Sequence, residues 1–318
     1  MIGSTKQNAI LRRLAQAIPV VVIATFLVFS LLKLVPGDIA VTLAGDNASD
    51  ARIAEIRQIY GLDQPFLGQY FSWLGNVVQG DLSRSLLSGE SVGASIARSF
   101  PNTLLIVVLA ILIALVLGIP LGVVSASRPG GVIDTILLAI GSLGIAVPNF
   151  WLAMLLVSFF ALNMNWLPAT GAVPLTTSIS GALAHAILPA VALAAGGVAE
   201  VMRQLRSSLV EILGSQHVRT LHAKGLSPSA ILWRHSLKNV SVNLLTVTSL
   251  LFNRLFAATV VIEAVFAIPG MGSLVVKAAM NRDFPVVQGV VFVMVLVVVG
   301  VNLLTDILYR VFDPRVAR

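Results

Sequence analysis

The sequence predicts an all-α membrane protein with six transmembrane helices and both termini on the cytoplasmic side. Three observations predict it. Hydrophobic residues make up 57% of the 318 residues and charged residues 11%, with a mean hydropathy of +0.94, far too apolar for an ordinary soluble domain. Six runs are long enough to cross a hydrocarbon core of about 30 Å, which takes about 20 apolar residues per helix. Cations gather in alternate loops, as the positive-inside rule requires of cytoplasmic segments. A transmembrane β-barrel is excluded, because its strands are about 10 residues of alternating polarity and these runs are continuous.

The spans fall at roughly Leu14 to Leu32, Pro101 to Ala126, Val132 to Leu162, Leu183 to Val201, Val242 to Ile262 and Pro285 to Leu304. With the N-terminus inside, the cytoplasmic segments hold Lys6, Arg12, Arg13, Arg128, Arg203, Arg206, Arg219, Lys224, Arg234, Lys238, Arg310, Arg315 and Arg318. The external ones hold Lys33, Arg52, Arg57, Arg84, Arg98, Lys277 and Arg282, mostly matched by acids. The net charge of +7 is therefore a topology signal rather than a nucleic-acid footprint. With no cysteine in the chain, a disulfide framework, a thiolate metal site and thiol catalysis drop out. Three regions follow: residues 1–34, a tail and first span; 35–100, an external helical loop; and 101–318, a five-helix core with a cytoplasmic loop at about 202–240.

The first span follows Arg12 and Arg13, as a secretory signal would, but its apolar run exceeds the 7 to 15 residues usual for a cleaved signal. An uncleaved span is expected. In the external loop Ser49 caps a helix carrying Ile53, Ile56 and Tyr60 that stops at Gly61, and Asp63 and Pro65 start a second carrying Phe66, Tyr70, Trp73, Leu74 and Val77. These helices are amphipathic. They form either a cap on the membrane surface, with Tyr70 and Trp73 at the interface, or a docking platform for an external partner.

The third run is longer than one upright span, and Pro148 interrupts its hydrogen-bond ladder, which predicts one tilted or kinked helix. Asp134 near its start complements the helix dipole, a structural role. From Asn163 to about Ser180 the chain reads as a non-helical link. The fourth span contains Ala192, Ala194, Ala195, Gly196 and Gly197, small residues that let helices approach closely; His185 near its start is expected to be a satisfied interfacial side chain.

Glu200 to Val240 is basic and helix-forming. Leu205, Leu209, Ile212 and Leu213 recur at helical spacing, and the run ends near Gly225, the residue type that adopts a left-handed conformation after a helix. Ser227 and Pro228 start a new helix, one as cap and one in the first turn, and Ile231, Leu232, His235, Leu237 and Val240 give it an apolar side. Two helices meeting at a hinge are predicted. His217 and His222, five apart, do not share a face as a ligand pair would.

Arg254 lies near the centre of the fifth span, where an arginine costs about 2.5–3.5 kcal/mol on insertion scales. It therefore faces a protein interior or a water-filled cavity, either lining a substrate path or pairing with a neighbouring helix, with Asn253 beside it. Glu263 sits at the span boundary, where solvation is easy. Pro269-Gly270-Met271-Gly272 reads as a tight turn before a short amphipathic piece, Leu274 to Met280.

Several segments resemble, in order and over about residues 9 to 315, the dipeptide/oligopeptide/nickel class of ABC importer permeases, and in particular the first permease chain of the pair. They are Pro36-Gly37-Asp38, Gly61-Leu62-Asp63-Gln64-Pro65, Gly80-Asp81-Leu82 with Ser85, Trp166-Leu167-Pro168, Ala223-Lys224-Gly225-Leu226, Glu263 with Val265-Phe266, Pro269-Gly270-Met271-Gly272, Arg282-Asp283 with Pro285, and Asp313-Pro314-Arg315. The resemblance implies a type I ABC importer permease fold and a subunit that forms the path for di- or oligopeptides by alternating access. Nickel, glutathione and opine-like importers share the pattern and remain alternatives. Implied partners are a second permease chain, two cytoplasmic ATPase subunits that carry ATP and Mg²⁺, and an external substrate-binding protein. Leu221, His222, Ala223, Lys224, Gly225, Leu226 and Ser227 become the ATPase-coupling segment, Asn253 and Arg254 candidates for the translocation path, and Glu263, Pro269, Gly270, Gly272 and Asp283 candidates for an external gate or a binding-protein contact. The chain departs from the family pattern at Leu221 and His222, where Ala and Arg are common, and at Asn253, Ala257 and Ala258, where glycines are common.

The sequence contains no Gly-x-x-x-x-Gly-Lys-Ser/Thr loop, so ATP belongs to another subunit, and no catalytic, metal or cofactor constellation. An ion-coupled secondary transporter, the alternative of another class, would carry internal repeats and mid-membrane acids; the sequence has no repeat, and its acids cluster at span ends.

Overall fold

A computed structural model of the chain describes residues 15–30, 39–44, 48–59 and 61–312. Lys6, Arg12, Arg13, Lys33, Pro36-Gly37-Asp38, Tyr60, Asp313-Pro314-Arg315 and Arg318, and the side chain of Arg310, lie outside the described residues. In chain order the helices are α1 (Ala15–Ser30), α2 (Ile39–Ala44), α3 (Asp50–Ile59), α4 (Phe66–Val78), α5 (Val92–Ser127), α6 (Val132–Ala146), α7 (Asn149–Asn163), α8 (Ile179–Leu213), α9 (Gln216–Ala223), α10 (Pro228–Val265), α11 (Met271–Met280) and α12 (Phe284–Phe312). Among the described residues, extended pairing is confined to one antiparallel bridge between Arg84 and Ser91.

Four of these, α5, α8, α10 and α12, are each long and apolar enough to cross a membrane, and α1 is a shorter apolar helix. The third apolar run departs from the expected single kinked helix. It is two helices, α6 and α7, bent by 95°. Pro148 lacks an N–H and disfavours helical geometry in the residue before it; both Val147 (ψ 122°) and Pro148 (ψ 132°) are extended, and α7 starts afresh at Asn149.

The chain divides into two compact units, residues 1–100 with 273–303, and 101–272 with 304–318. In the first, α3 and α4 form as their local chemistry predicts. The Ser49 hydroxyl accepts from the Arg52 amide at 3.4 Å. Gly61, at φ +61°, closes α3 with Leu62 N–H donating to the Arg57 carbonyl and Gly61 N–H to that of Gln58, the paired bonds that satisfy a helix's last carbonyls. Asp63 does not cap α4, whose N-cap is Pro65 without a side-chain bond. Tyr70 and Trp73 do not sit at an exposed interface. They are buried with Phe29 and Val77 and packed against Phe26, Phe66 and Phe292, and the Tyr70 hydroxyl lies 3.0 Å from Thr25 Oγ1. A membrane-surface cap would have left them half-wet; here α4 uses them to bind α1 and α12. At the start of α5, Arg98 Nη2 donates to Glu90 Oε2 at 2.6 Å. That bond, then one from Ser95, holds the Glu90 carboxyl below its ordinary range.

The second unit is built around α8. Its buried face runs from Ala182 to Leu209 and packs on α6, α7 and α10. Ala190, Ala192, Leu193 and Ala194 are fully buried, the close approach that small residues permit. On α5, a Cβ added to Gly122 would lie 2.9 Å from the Met202 carbonyl oxygen, so α5 and α8 touch backbone to backbone. At 35 residues and a rise of about 1.5 Å each, α8 extends well beyond the predicted span.

One charged clamp joins these helices. Arg206 of α8 donates through Nε to Oδ1 and through Nη2 to Oδ2 of Asp134, both at 2.6 Å. The buried carboxylate also accepts from Ser125 Oγ of α5 and, at 2.7 Å, from Gly130 N–H. Asp134 is structural as expected, but through a two-pronged arginine bond rather than the helix dipole. Replacing Arg206 with Gln strands this carboxylate, so the unfolding midpoint of the purified protein in detergent should fall by several degrees. Arg206→Lys, which keeps the charge but not the two parallel bonds, should recover only part of the loss.

Candidate functional site

The basic stretch folds into three helical pieces rather than two. The unforeseen break lies at Gly214, after which the Ser215 hydroxyl accepts from the Val218 amide at 3.4 Å and starts α9. At its other end Gly225, at φ +78°, closes α9: Leu226 N–H donates to the Leu221 carbonyl at 3.2 Å and Gly225 N–H to that of His222 at 2.9 Å. This is the Schellman arrangement, completed by contact between the residues flanking the turn; Leu226 packs on the cluster of Val218, Leu221 and Ile231. Ser227 then accepts from the Ala230 amide at 3.3 Å, with Pro228 in the first turn. The helix so started continues without interruption through the predicted fifth span as α10.

The result is an eight-residue helix held at both ends between two long helices. Its inner face is Val218 and Leu221, so Leu221, expected among the coupling residues, is buried and anchors the helix rather than presenting a surface. Ser227 acts as a cap. Exposed are Gln216, His217, Arg219, Thr220, His222, Ala223, Lys224 and Gly225. The histidine contact that sequence spacing missed is between His217 and His235 of α10, whose ring centres are 6.5 Å apart.

At the other end of α10 the expected solvated glutamate is fully buried. The helix ends with Ala267 at φ +48°, Ile268 N–H donating to the Glu263 carbonyl at 2.9 Å. Alanine here occupies a conformation usually left to glycine, and the following segment folds back over the Glu263 side chain. A Cβ on Gly270 would lie 2.3 Å from the Glu263 carboxyl, and one on Gly272 2.5 Å from Val260 Cα. The two glycines in Pro269-Gly270-Met271-Gly272 are therefore demanded by this approach. Thr103 of α5 donates to Glu263 Oε1 at 2.6 Å and accepts from Met271 N–H at 2.8 Å, while Asn102 Nδ2 donates to the Pro269 carbonyl at 2.9 Å. Glu263, Pro269, Gly270 and Gly272 thus come together. Asp283 belongs to the other unit, where its buried carboxylate accepts from Ser85 Oγ and, at 3.1 Å, from Leu86 N–H. His185 is satisfied by the Gly181 carbonyl at 2.9 Å.

Arg254 forms an ion pair with Glu200 of α8 and lines a cavity of about 190 Å³. The arginine thus pairs with a neighbouring helix and also borders a cavity. Asn253, half-buried, does not line that cavity. Glu200 escaped the sequence reading because it sits just before the boundary drawn for the fourth span, where an acid is unremarkable.

These features define a multi-pass helical membrane protein with a short rigid helix folded against the basic end of its bundle. Residues 118–318 match the family described as binding-protein-dependent transport system inner membrane component, and residues 7–109 its N-terminal counterpart. The chain belongs to this family, and it is a multi-pass inner-membrane protein. It is 42% identical over 307 residues to a putative peptide transport system permease protein of Brucella abortus, 36% over 310 to the oligopeptide transport system permease protein AppB of Bacillus subtilis, and 34% over 328 to the di/tripeptide transport system permease protein DppB of Pseudomonas aeruginosa. Each alignment covers 96% of this chain and 98% of the relative. Among solved structures, an inward-facing form of the MetNI methionine ABC transporter matches with a TM-score of 0.57 at 18% identity, covering 69% of this chain and 96% of that one, a likeness of fold.

Because the Thr103 hydroxyl both donates to Glu263 and accepts from Met271, Thr103→Val takes one bond from the buried Glu263 carboxyl and the hydroxyl acceptor from the Met271 N–H. A loss of roughly 1–3 kcal/mol is expected, read as earlier unfolding in detergent, and Thr103→Ser should restore most of it.

Proposed function

We propose that this chain is one of two permease subunits of an ATP-driven, binding-protein-dependent importer of di- or oligopeptides. The observation that carries the reading is the similarity of 42% over 96% of the chain to a relative named as a peptide transport permease. In this reading both termini are cytoplasmic, the partners are a second, similar permease chain, two ATPase subunits and an external substrate-binding protein, and α9 is the coupling helix. His222, Ala223, Lys224 and Gly225 present the face that an ATPase groove grips, while Leu221, Leu226 and Ser227 fix the helix in place.

The mechanics follow from the local geometry. Because α9 is capped at both ends and packed through Val218 and Leu221, a push on its exposed face moves α8 and α10 rather than melting the helix. ATPase closure displaces α9, the two long helices shift with it, and the path between permease chains alternates between the two sides. Glu263 and the turn Pro269 to Gly272 fit the outer rim, where they gate the path or receive the binding protein; Asp283, within its own unit, is a separate candidate for such a contact.

Proteoliposomes holding the assembled importer should take up peptide only when binding protein and hydrolysable ATP are both supplied. Uptake that persists with a catalytically dead ATPase and collapses with a protonophore would instead indicate an ion-coupled carrier. Within that assay Gly225→Val is informative, since an added Cβ meets nothing within 4 Å yet φ +78° is strained for a β-branched residue. Insertion should be intact and ATP hydrolysis retained, with peptide uptake reduced at least about fivefold, as a strain of about 1–3 kcal/mol at the hinge implies.

A further inference from the structure

The cavity beside Arg254 lies within the 101–272 unit and is lined by Gly144 and Ile145 of α6, Asn149 of α7, Gly196 of α8, and Arg254 and Ala258 of α10. It sits at the 95° corner between α6 and α7. Arg254 is the charged residue in this lining; its partner Glu200 is not part of the cavity wall. The two partners are unequally exposed, 51% for the Arg254 side chain and 31% for that of Glu200, so the accessible end of the pair is the cation.

We infer that Arg254, backed by Glu200, is a subsite for a carboxylate end group on a ligand whose adjoining body is small or apolar. This rests on the peptide reading above and names the part of the peptide that is recognised, its C-terminal end. A guanidinium offers five N–H donors in a planar fork and can hold two carboxylates; the contact with Glu200 uses Nη2. The rest of the wall is apolar or small, with Leu193 and Leu255 beside the glycines and the amide of Asn149 its one other polar side chain, and accepts an uncharged backbone and small side chains. A volume of about 190 Å³ exceeds that of several waters at about 30 Å³ each, room for a terminal residue. Glu200 also sets the strength: by neutralising the arginine beforehand it keeps the subsite weak, as passage rather than retention requires.

The test is equilibrium binding of trialanine and its C-terminal amide to the assembled transporter in nanodiscs, without binding protein, for the wild type, Arg254→Gln, and the double variant Glu200→Gln with Arg254→Gln. The double variant removes the pair without stranding a carboxylate, so it reports even where the single variant fails to fold. The wild type should bind the free acid about tenfold more tightly than the amide, the worth of one charge-assisted contact, and both variants should bind the two forms alike. Equal binding of acid and amide by the wild type, no binding of either, or a preference that survives in the double variant overturns the subsite. Trialanine uptake by wild-type proteoliposomes with binding protein separates the failures: if uptake occurs, only the subsite has failed; if it does not, the peptide reading has failed too.

Discussion

The carboxylate of Asp134, buried among helices and tied to Arg206, is the interaction on which the basic end of this molecule depends. Burial has taken it out of water, and a buried charge that loses its partner is costly. Its four recorded bonds come from α5, from the turn before α6, and from α8, so three segments are fixed to one another at one point. That point lies on α8 two turns before its end at Leu213, after which the chain turns into α9. The clamp therefore ties α8 to its neighbours close to the point where the chain turns into α9.

The same logic recurs twice more within the second unit, with different chemistry. Glu263 is enclosed by a returning turn that only glycine permits, and Arg254 is neutralised by Glu200. The differences in exposure separate their roles. Glu263 is sealed and fixes a turn, whereas Arg254 remains half open to a cavity.

Much of the fold was legible from local chemistry. Continuous apolar runs located the long helices, and Gly61, Gly225, Ser227 and Pro228 marked ends that the structure places where helix-terminus geometry predicts. The Gly214-Ser215 break was also written locally, but the leucines on either side of it keep helical spacing and masked it. Less legible were contacts between distant positions. Asp134 and Arg206 are 72 residues apart and Thr103 and Glu263 160, and nothing in a single sequence shows that a glutamate at a span boundary will be covered by its own downstream turn. The 95° corner at Pro148 lies between these cases: proline announces a break, but the angle is set by what α6 and α7 pack against. Leu221 is a further case, since its burial with Val218 and Ile231 depends on α10 folding back over α9 and is not written in its own segment.

The central claim is that an ATPase subunit grips the exposed face of α9. Because the chain has no cysteine, Lys224→Cys supplies a single reactive thiol on that face, and a short thiol-to-amine reagent applied to the assembled, ATP-driven importer reports its neighbour. A covalent adduct between this chain and the ATPase subunit is the expected result. An active assembly in which Lys224→Cys is labelled yet joins no ATPase would contradict it.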